Sequence, residues 1–75
     1  MAIDYRAANK ATRDFPSRLK RDSIVQDYVK VMFDRSWSPD FRHSIYNAMH
    51  EYILDNYDLD FDDIFDWDAY RKWYP

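Results

Sequence analysis

The sequence predicts a compact, small all-α domain of three to four helices. Glycine is absent from its 75 residues, which removes the residue on which tight hairpin turns most depend. Apolar residues instead recur at intervals of three and four, the spacing of one helix face. Aromatic residues make up 20% of the chain, enough for a dense core in a domain that is otherwise marginal at this length. We therefore expect residues 1–75 to form a single domain.

The first predicted helix covers about residues 5–14. Asp4 is placed to cap its N-terminus, because an aspartate there accepts hydrogen bonds from unpaired backbone N–H groups. Pro16 disfavours helical backbone at Phe15 and ends the element. A helix this short is unstable alone, so we expect it to pack against the rest of the domain.

A second helix is predicted to begin after Ser17 or Asp22 and to continue to about Arg35. Its broad set of apolar residues indicates a face that is buried in the core. The run at residues 29–33 contains four apolar residues, two of them β-branched valines. A strand at this run is therefore an alternative.

The third helix has the clearest boundary signals in the chain. Ser38 is a typical N-cap and Pro39 a typical first helical residue, and the helix is expected to continue to about Asp55. Asn56 takes the position after the helix where glycine is usual. One apolar stripe is predicted to face the core: Phe41, Ile45, Ala48, Met49, Tyr52 and Ile53.

Residues 55–68 combine a high density of aspartate with regularly spaced aromatic residues. Seven of these fourteen residues are aspartate. Acidic and apolar side chains alternate in residues 57–62, which predicts a short extended segment. Asp60 or Asp62 can then cap a last helix over about residues 63–73.

The aromatic residues of this stretch favour burial, whereas its carboxylates repel one another and favour solvent or a cationic partner. We expect the rings to pack on Phe41, Ile45 and Tyr52 of the third helix. The carboxylates would then be held on a firm backbone, either as a merely solvated face or as a contact surface.

Charge is divided unevenly along the chain. Residues 1–43 contain nine lysines and arginines against six aspartates, a net charge of +3, whereas residues 44–75 contain two against eight acidic residues, a net charge of −6. The acidic half favours a partner with a basic surface. A further alternative is that the basic half neutralises the acidic half, within one molecule or across a homo-dimer.

The residue types exclude several function classes. No cysteine is present to act as a nucleophile or to form a disulfide, and without glycine there is no phosphate-binding loop for a nucleotide. We therefore expect no enzyme activity and no cofactor. No apolar run reaches the roughly 18 residues of a membrane span, so we expect a cytoplasmic protein without a membrane partner.

Two patterns resemble metal motifs without completing them. His43 and His50 are seven residues apart, about 10 Å along a helix, which is too far for two ligands of one ion. The three alternate aspartates at 58–62 resemble the start of a calcium loop, but Asp63 and Ala69 stand where that loop needs glycine and glutamate. We therefore predict no metal site.

The function that this pattern favours is a non-enzymatic interaction protein that binds and inhibits a larger protein at a basic site. Aromatic anchors would supply contact area, and carboxylates would steer the encounter and pair with the partner's lysines and arginines. The alternative is that the rings only complete the core. The predicted contact residues are Asp55, Asp58, Asp60, Phe61, Asp62, Asp63, Asp66, Trp67 and Asp68.

The string DLDFDD at residues 58–63, which follows an amphipathic helix, resembles a short piece of the phage DNA-mimic antirestriction proteins. That family is acidic and mostly helical, and it inhibits host enzymes by occupying their DNA site. The resemblance implies a larger host protein as the partner and the host cytoplasm as the location. The basic N-terminal half departs from the family's pattern. The small size, missing glycine and many aromatic residues are also similar to small phage anti-host inhibitors, such as anti-CRISPR proteins.

A second function class is nucleic-acid binding by the basic N-terminal half. Lysine and arginine side chains there could contact phosphates, and the two helices joined near Trp37 and Ser38 could form a helix-turn-helix. The pI near 5.1 differs from the basic character of such domains. The residues that would carry this alternative are Arg6, Lys10, Arg13, Arg18, Lys20 and Arg21.

Overall fold

Helices account for most of residues 3–74, the part of the chain that the computed structural model describes. Four helices have seven residues or more, and two are single turns. Ile3 and Asp34 form one antiparallel bridge, and residues 3–74 contain no strand. The prediction of an all-α domain is confirmed. The helices are α1 Tyr5–Ala11, α2 Ser17–Lys20, α3 Ser23–Met32, α4 Pro39–Tyr57, α5 Phe61–Ile64 and α6 Trp67–Trp73.

Helix α1 is capped as predicted but is shorter than predicted. The Asp4 carboxylate accepts a hydrogen bond from the backbone N–H three residues later, at 3.0 Å. The helix ends at Ala11, and the hydroxyl of Thr12 donates to the carbonyl four residues earlier at 2.9 Å. Such a side-chain bond competes with continuation of the helix. The chain then turns so that Phe15 enters the core.

The predicted second helix is two helices, separated at Asp22. The Asp22 carboxylate accepts hydrogen bonds from the N–H groups of Ile24 at 2.8 Å and Val25 at 3.2 Å. Because the side chain takes these donors, a new helix starts at this point. The Asp22 cap is confirmed, and the alternative of one long helix from Ser17 is wrong. The strand alternative at residues 29–33 is also wrong, since α3 continues to Met32.

Helix α4 is the longest element, with 19 residues. Its length of roughly 28 Å, at about 1.5 Å per residue, is close to the 30 Å long dimension of the molecule. Its start is as predicted: the Ser38 hydroxyl accepts a backbone N–H at 3.2 Å, and Pro39 is the first helical residue. The helix continues to Tyr57, and Asp58, rather than Asn56, takes the left-handed position that ends it, with φ 54° and ψ 40°.

The acidic stretch contains two short helices where one was predicted. Asp60 caps α5 and Asp66 caps α6, and each carboxylate accepts an N–H at 3.0 Å. Only residues 58–60 lie between α4 and α5, so the extended segment is shorter than predicted. The N–H of Asp66 donates to the carbonyl of Ala11 at 2.9 Å, which anchors the start of α6 on the end of α1.

One apolar core joins the helices. α1 packs on α6, α3 packs on α4, and α5 packs on α4. The buried face of α4 contains Arg42, Met49 and Ile53, and it is rotated from the predicted stripe so that Phe41 is 41% exposed. The buried apolar residues are Ala8, Ala11, Phe15, Leu19, Val25, Met32, Phe33, Met49, Ile53, Phe61, Phe65, Ala69, Tyr70 and Trp73.

Candidate functional site

A reversal of the chain at Asp58 places the acidic stretch against α4. Asp58 ends α4 in left-handed backbone, and α5 packs back onto the helix. Phe61, the first residue of α5, is fully buried, and its ring centroid lies 5.5 Å from that of Tyr46 and 6.0 Å from that of Phe15. The rings of this stretch therefore reach Tyr46, and the prediction that they cover Phe41 is wrong.

Five carboxylates of the stretch lie on the outside after this packing. All five residues are exposed, and within residues 3–74 none of them forms an ion pair with a lysine or arginine. Five negative charges within nine residues of sequence thus face solvent without a permanent counter-charge from the described residues. We call these five residues the acidic surface: Asp55, Asp58, Asp60, Asp62 and Asp63.

Two members of the acidic surface are held in place by hydrogen bonds. Asp60 accepts the N–H of Asp62 at 3.0 Å as the cap of α5. Asp62 accepts the hydroxyl of Tyr46 at 3.2 Å. Burial, and then the negative charge of Asp62, raises the pKa of Tyr46. The Tyr46 hydroxyl therefore stays protonated and remains a donor at neutral pH.

Two of the predicted contact aspartates have other roles. Asp66 is half-buried and caps α6. Asp68 is exposed, but its carboxylate lies 2.6 Å from the guanidinium of Arg71. The hydrogen bond from Arg71 lowers the pKa of Asp68. Asp66 is therefore outside the acidic surface because it is half-buried, and Asp68 is outside it because its charge is paired.

The two aromatic residues predicted as partner contacts, Phe61 and Trp67, pack in or against the core. Phe61 is 0% exposed and its ring stacks on that of Phe65 at 4.7 Å, so in this structure its ring lies in the core and not on the surface. Trp67 is half-buried, with its ring centroid 4.9 Å from those of Tyr46 and Phe65. The rings are turned inward because each large ring removes about 150–250 Å² of surface from water, and a chain of this size has few other ways to bury as much.

The C-terminal end of α4 carries charges of unfavourable sign. The helix dipole places partial negative charge at this end. Asp55 lies in the last turn, Asp58 follows it, and that turn contains no basic residue. The fold therefore holds two carboxylates where the local electrostatics oppose them.

His50 lies beside Asp60 and Asp62 of the acidic surface, which the sequence did not predict. Its Nε2 atom lies 3.7 Å from Asp60 Oδ1 and 3.7 Å from Asp62 Oδ2. In residues 3–74 these three side chains are the group whose potential metal-ligand atoms all lie within 4.8 Å of one another. The spacing along the chain carries no signal for this cluster, because His50 meets the two aspartates only through the left-handed turn at Asp58.

The six basic residues considered for nucleic-acid binding are all exposed, on α1, α2 and the adjoining turns. The Lys20 ammonium donates to the carbonyl of Arg13 at 3.1 Å, and the Arg18 guanidinium lies over the Tyr57 ring at 5.5 Å. Helix α4, which would be the recognition helix of a helix-turn-helix, exposes no permanent cation, because Arg42 is only 2% exposed. The basic surface therefore belongs to α1 and α2.

No protein-family model, curated protein or solved structure matches this chain. Among the helices of residues 3–74, none is both long and apolar enough to cross a membrane. The acidic surface, with His50 beside it, is the candidate site that the geometry supports best.

Proposed function

We propose that this chain is a non-enzymatic interaction protein that binds and inhibits a larger protein through its acidic surface. The observation that carries this proposal is the set of five exposed carboxylates, none of them in an ion pair with a lysine or arginine of residues 3–74. Like charges at this density repel one another. A cationic partner surface would replace that repulsion by attraction and would also steer the encounter.

The positioning of two carboxylates of the acidic surface supports the proposal. Asp60 is fixed as a helix cap, Asp62 is fixed by Tyr46, and Phe61 between them is fully buried. A partner would meet these two carboxylates already positioned, so less conformational entropy would be lost on binding. A disordered acidic tail of equal charge would lose more conformational entropy on binding.

The charges at the end of α4 also support a binding role. Asp55 and Asp58 lie at the negative end of the helix dipole, where an exposed carboxylate costs about 0.3–1 kcal/mol at low salt. Neither carboxylate forms an ion pair with a lysine or arginine of residues 3–74 that would offset this cost. Docking on a basic site would turn both side chains into favourable contacts.

A site that normally binds nucleic acid is the partner surface that fits this chemistry best. Double-stranded DNA presents one negative charge per about 1.7 Å of axis, and proteins that bind it present clustered lysine and arginine. The short side chain of aspartate holds its charge close to the protein backbone, and the phosphates of DNA likewise lie in its sugar–phosphate backbone. In this proposal the chain is a phage-type inhibitor, of the anti-restriction or anti-CRISPR kind, that acts on a host protein in the host cytoplasm.

Charge reversal at positions without a structural role tests this function. Asp55→Lys combined with Asp63→Lys reverses two charges of the acidic surface and leaves both helix caps and the Tyr46 hydrogen bond intact. Asp14→Lys combined with Asp27→Lys makes the same change in net charge at exposed aspartates elsewhere. The second pair is the matched control.

The wild-type chain and both double variants are immobilised and incubated with one lysate of the host cell, and the proteins that bind are identified by mass spectrometry. We expect a nucleic-acid-binding protein to bind the wild type and the control but not the acidic-surface variant. We also expect the wild-type chain to compete with that protein's nucleic acid. Equal binding by the acidic-surface variant, or equal loss with the control, would contradict the proposal, provided that circular dichroism shows all three chains to be helical.

Nucleic-acid binding by α1 and α2 is a second candidate, because all six of its basic side chains are exposed. It predicts a gel shift with DNA or RNA that weakens steeply with added salt. The absence of a shift at physiological salt would dismiss it. The variant for this gel-shift test replaces six residues together by alanine: Arg6, Lys10, Arg13, Arg18, Lys20 and Arg21.

A further inference from the structure

We propose that His50, Asp60 and Asp62 form a binding site for a divalent transition-metal ion of the Zn²⁺ type. One imidazole nitrogen and two carboxylate oxygens converge from α4 and from the start of α5, and all three atoms lie within 4.8 Å of one another. The site is independent of the proposed partner, since ion binding can be measured on the chain alone.

The two distances from His50 Nε2 are longer than hydrogen bonds and close to the distance between two ligands of one metal ion. The 3.7 Å from His50 Nε2 to each carboxylate oxygen exceeds the about 2.7–3.2 Å of an N–H···O hydrogen bond. Ligands that lie about 2.0–2.1 Å from a tetrahedral Zn²⁺ ion are roughly 3.4 Å from each other. A small inward movement of the side chains would therefore bring all three atoms to one ion.

The imidazole distinguishes this site from an ordinary cluster of acidic residues. The His50 ring is packed edge-on against the rings of Tyr46 and Phe61, at centroid distances of 6.0 and 6.2 Å. Its side chain is 33% exposed, and within residues 3–74 Nε2 has no neighbour at hydrogen-bond distance. Packing thus fixes the ring, and its nitrogen is directed at two carboxylates that it does not bond.

The two carboxylates are oriented by groups other than His50. Oδ1 of Asp62 accepts the Tyr46 hydroxyl, which leaves Oδ2 as the oxygen near the imidazole. Oδ1 of Asp60 accepts the N–H of Asp62. Hydrogen bonds of this kind orient the ligands of metal sites. The same bonds that hold the acidic surface therefore also prepare this site.

The ligand types select the class of ion. Imidazole nitrogen together with carboxylate oxygen suits Zn²⁺, Co²⁺ and Ni²⁺, whereas Ca²⁺ and Mg²⁺ take oxygen ligands. Three protein ligands leave at least one position for water or for a side chain of a partner. A bound dication would offset two of the five negative charges of the acidic surface, so that ion binding and docking on a basic site would oppose each other.

Titration of the untagged chain with Zn²⁺ by calorimetry, and with Co²⁺ by visible absorption, tests the site. We expect one ion per chain and no competition from equal concentrations of Ca²⁺ or Mg²⁺. His50→Ala should weaken binding by at least about tenfold, because loss of even a supporting residue costs about 10–100-fold. His43→Ala is the matched control: it removes an exposed histidine of the same helix and should leave binding unchanged.

A second variant keeps the test decisive if His50→Ala does not fold. Asp62→Asn retains an acceptor for Tyr46 but lacks the charged ligand, and it should also weaken Zn²⁺ binding at least about tenfold. Three results would overturn the site: no saturable binding by the wild type, undiminished binding by both ligand variants, or equal loss with His43→Ala. None of these results bears on the charge reversals at Asp55 and Asp63, which are not ligands.

Discussion

One carboxylate joins two helices of this fold. Asp22 caps α3, and its second oxygen accepts the hydroxyl of Tyr52 at 2.8 Å and the hydroxyl of Tyr57. The hydrogen bond from Tyr57, with a smaller contribution from Tyr52, lowers the pKa of Asp22. The hydrogen bond to Asp22 in turn raises the pKa of Tyr52 to about 12. Charge-assisted bonds therefore tie the start of α3 to the end of α4.

Asp22→Ala should lower the free energy of unfolding by at least about 1 kcal/mol, the usual cost of a lost N-cap. The loss should be larger than the cap alone predicts, because two tyrosine hydroxyls lose their acceptor. Asp22→Asn is the control, since asparagine caps a helix about as well as aspartate does. Urea unfolding measures both variants, and equal stability of Asp22→Ala and Asp22→Asn would contradict this role.

The stabilisation by Asp22 should depend on pH. Its pKa is lower in the folded chain than in the unfolded chain, so its contribution is present at neutral pH. It is lost as the pH falls below the unfolded value of about 3.9 and through the folded value. Below about pH 4 the wild type should lose stability more steeply than Asp22→Asn, which circular dichroism across pH would detect. Parallel loss in the two chains would show that this carboxylate is not responsible.

Arg42 shows what a residue pattern cannot predict. Hydrophobic periodicity assigns arginine to the surface, yet Arg42 is buried, and within residues 3–74 its Nε and Nη1 atoms have no hydrogen-bond acceptor. Its guanidinium lies over the rings of Trp73 at 5.1 Å and Tyr74 at 5.3 Å. Cation–π contacts of this kind offset part of the cost of burial. These contacts depend on where α6 and the residue after it place the two rings, which the sequence of α4 alone does not indicate.

At the scale of elements, the starts of helices were predictable and their ends were not. Asp4, Asp22 and Ser38 cap helices as predicted, because capping is a property of the side chain itself. Asp60 also caps a helix, but that helix is α5, and the last helix is capped by Asp66. The ends of α1 and α4 differ from prediction: α1 ends at Ala11, where the Thr12 hydroxyl donates to the carbonyl of Ala8, and α4 ends where Asp58 adopts left-handed backbone. Two helices that were predicted as continuous are divided, the second predicted helix at Asp22 and the last one at Asp66. In both, the aspartate caps the helix that follows it.

Asp58 provides a test of how α4 ends. It is the one residue within 3–74 with positive φ, at 54°. Asp58→Gly should leave the free energy of unfolding unchanged or raise it by up to about 1 kcal/mol, because glycine has no Cβ penalty there. Asp58→Ala should lower it by less than about 1 kcal/mol, because both residues have a Cβ but aspartate adopts left-handed backbone more readily than alanine does. Both variants remove the same charge, so equal stabilities in urea would show that the left-handed turn is not required.

At the scale of the molecule, aromatic rings take the place that aliphatic side chains have in most small cores. The Phe61 ring lies within 6.0 Å of those of Phe15, Tyr46, Phe65 and Trp67. It therefore connects the segment after α1 with α4 and with the start of α6. A small domain has only about 5–15 kcal/mol of stability in total, so one such ring is a large part of it.

Phe61→Ala should lower the free energy of unfolding by about 3–5 kcal/mol, which is enough to unfold a marginal domain. Phe61→Leu should cost clearly less, because it keeps most of the apolar volume. Thermal unfolding followed by near-ultraviolet circular dichroism compares the two. A stable, cooperatively folded Phe61→Ala chain that fails only in partner binding would instead support the contact role that the sequence suggested.

The candidate site was predictable in composition but not in orientation. Residues 55–68 were identified from their aspartates and the aromatic residues between them, and five of the seven carboxylates do face solvent without a lysine or arginine partner in residues 3–74. The inward turn of Phe61 and the arrival of His50 follow from the path of α5 against α4. The turn at Asp58 sets that path. The spacing of residues along the chain does not indicate that this aspartate takes left-handed backbone.

The two ends of the described chain meet beside the first turns of α4. The indole N–H of Trp73 donates to the carboxylate of Asp4 at 3.0 Å, and Arg42 lies over the same indole ring at 5.1 Å. Asp58 follows Arg42 by sixteen residues, roughly 24 Å along the helix axis. A fluorophore or tether attached beside Asp4 or Trp73 would therefore stand at the opposite end of α4 from Asp58, and a chain immobilised in this way would present the acidic surface to the solution.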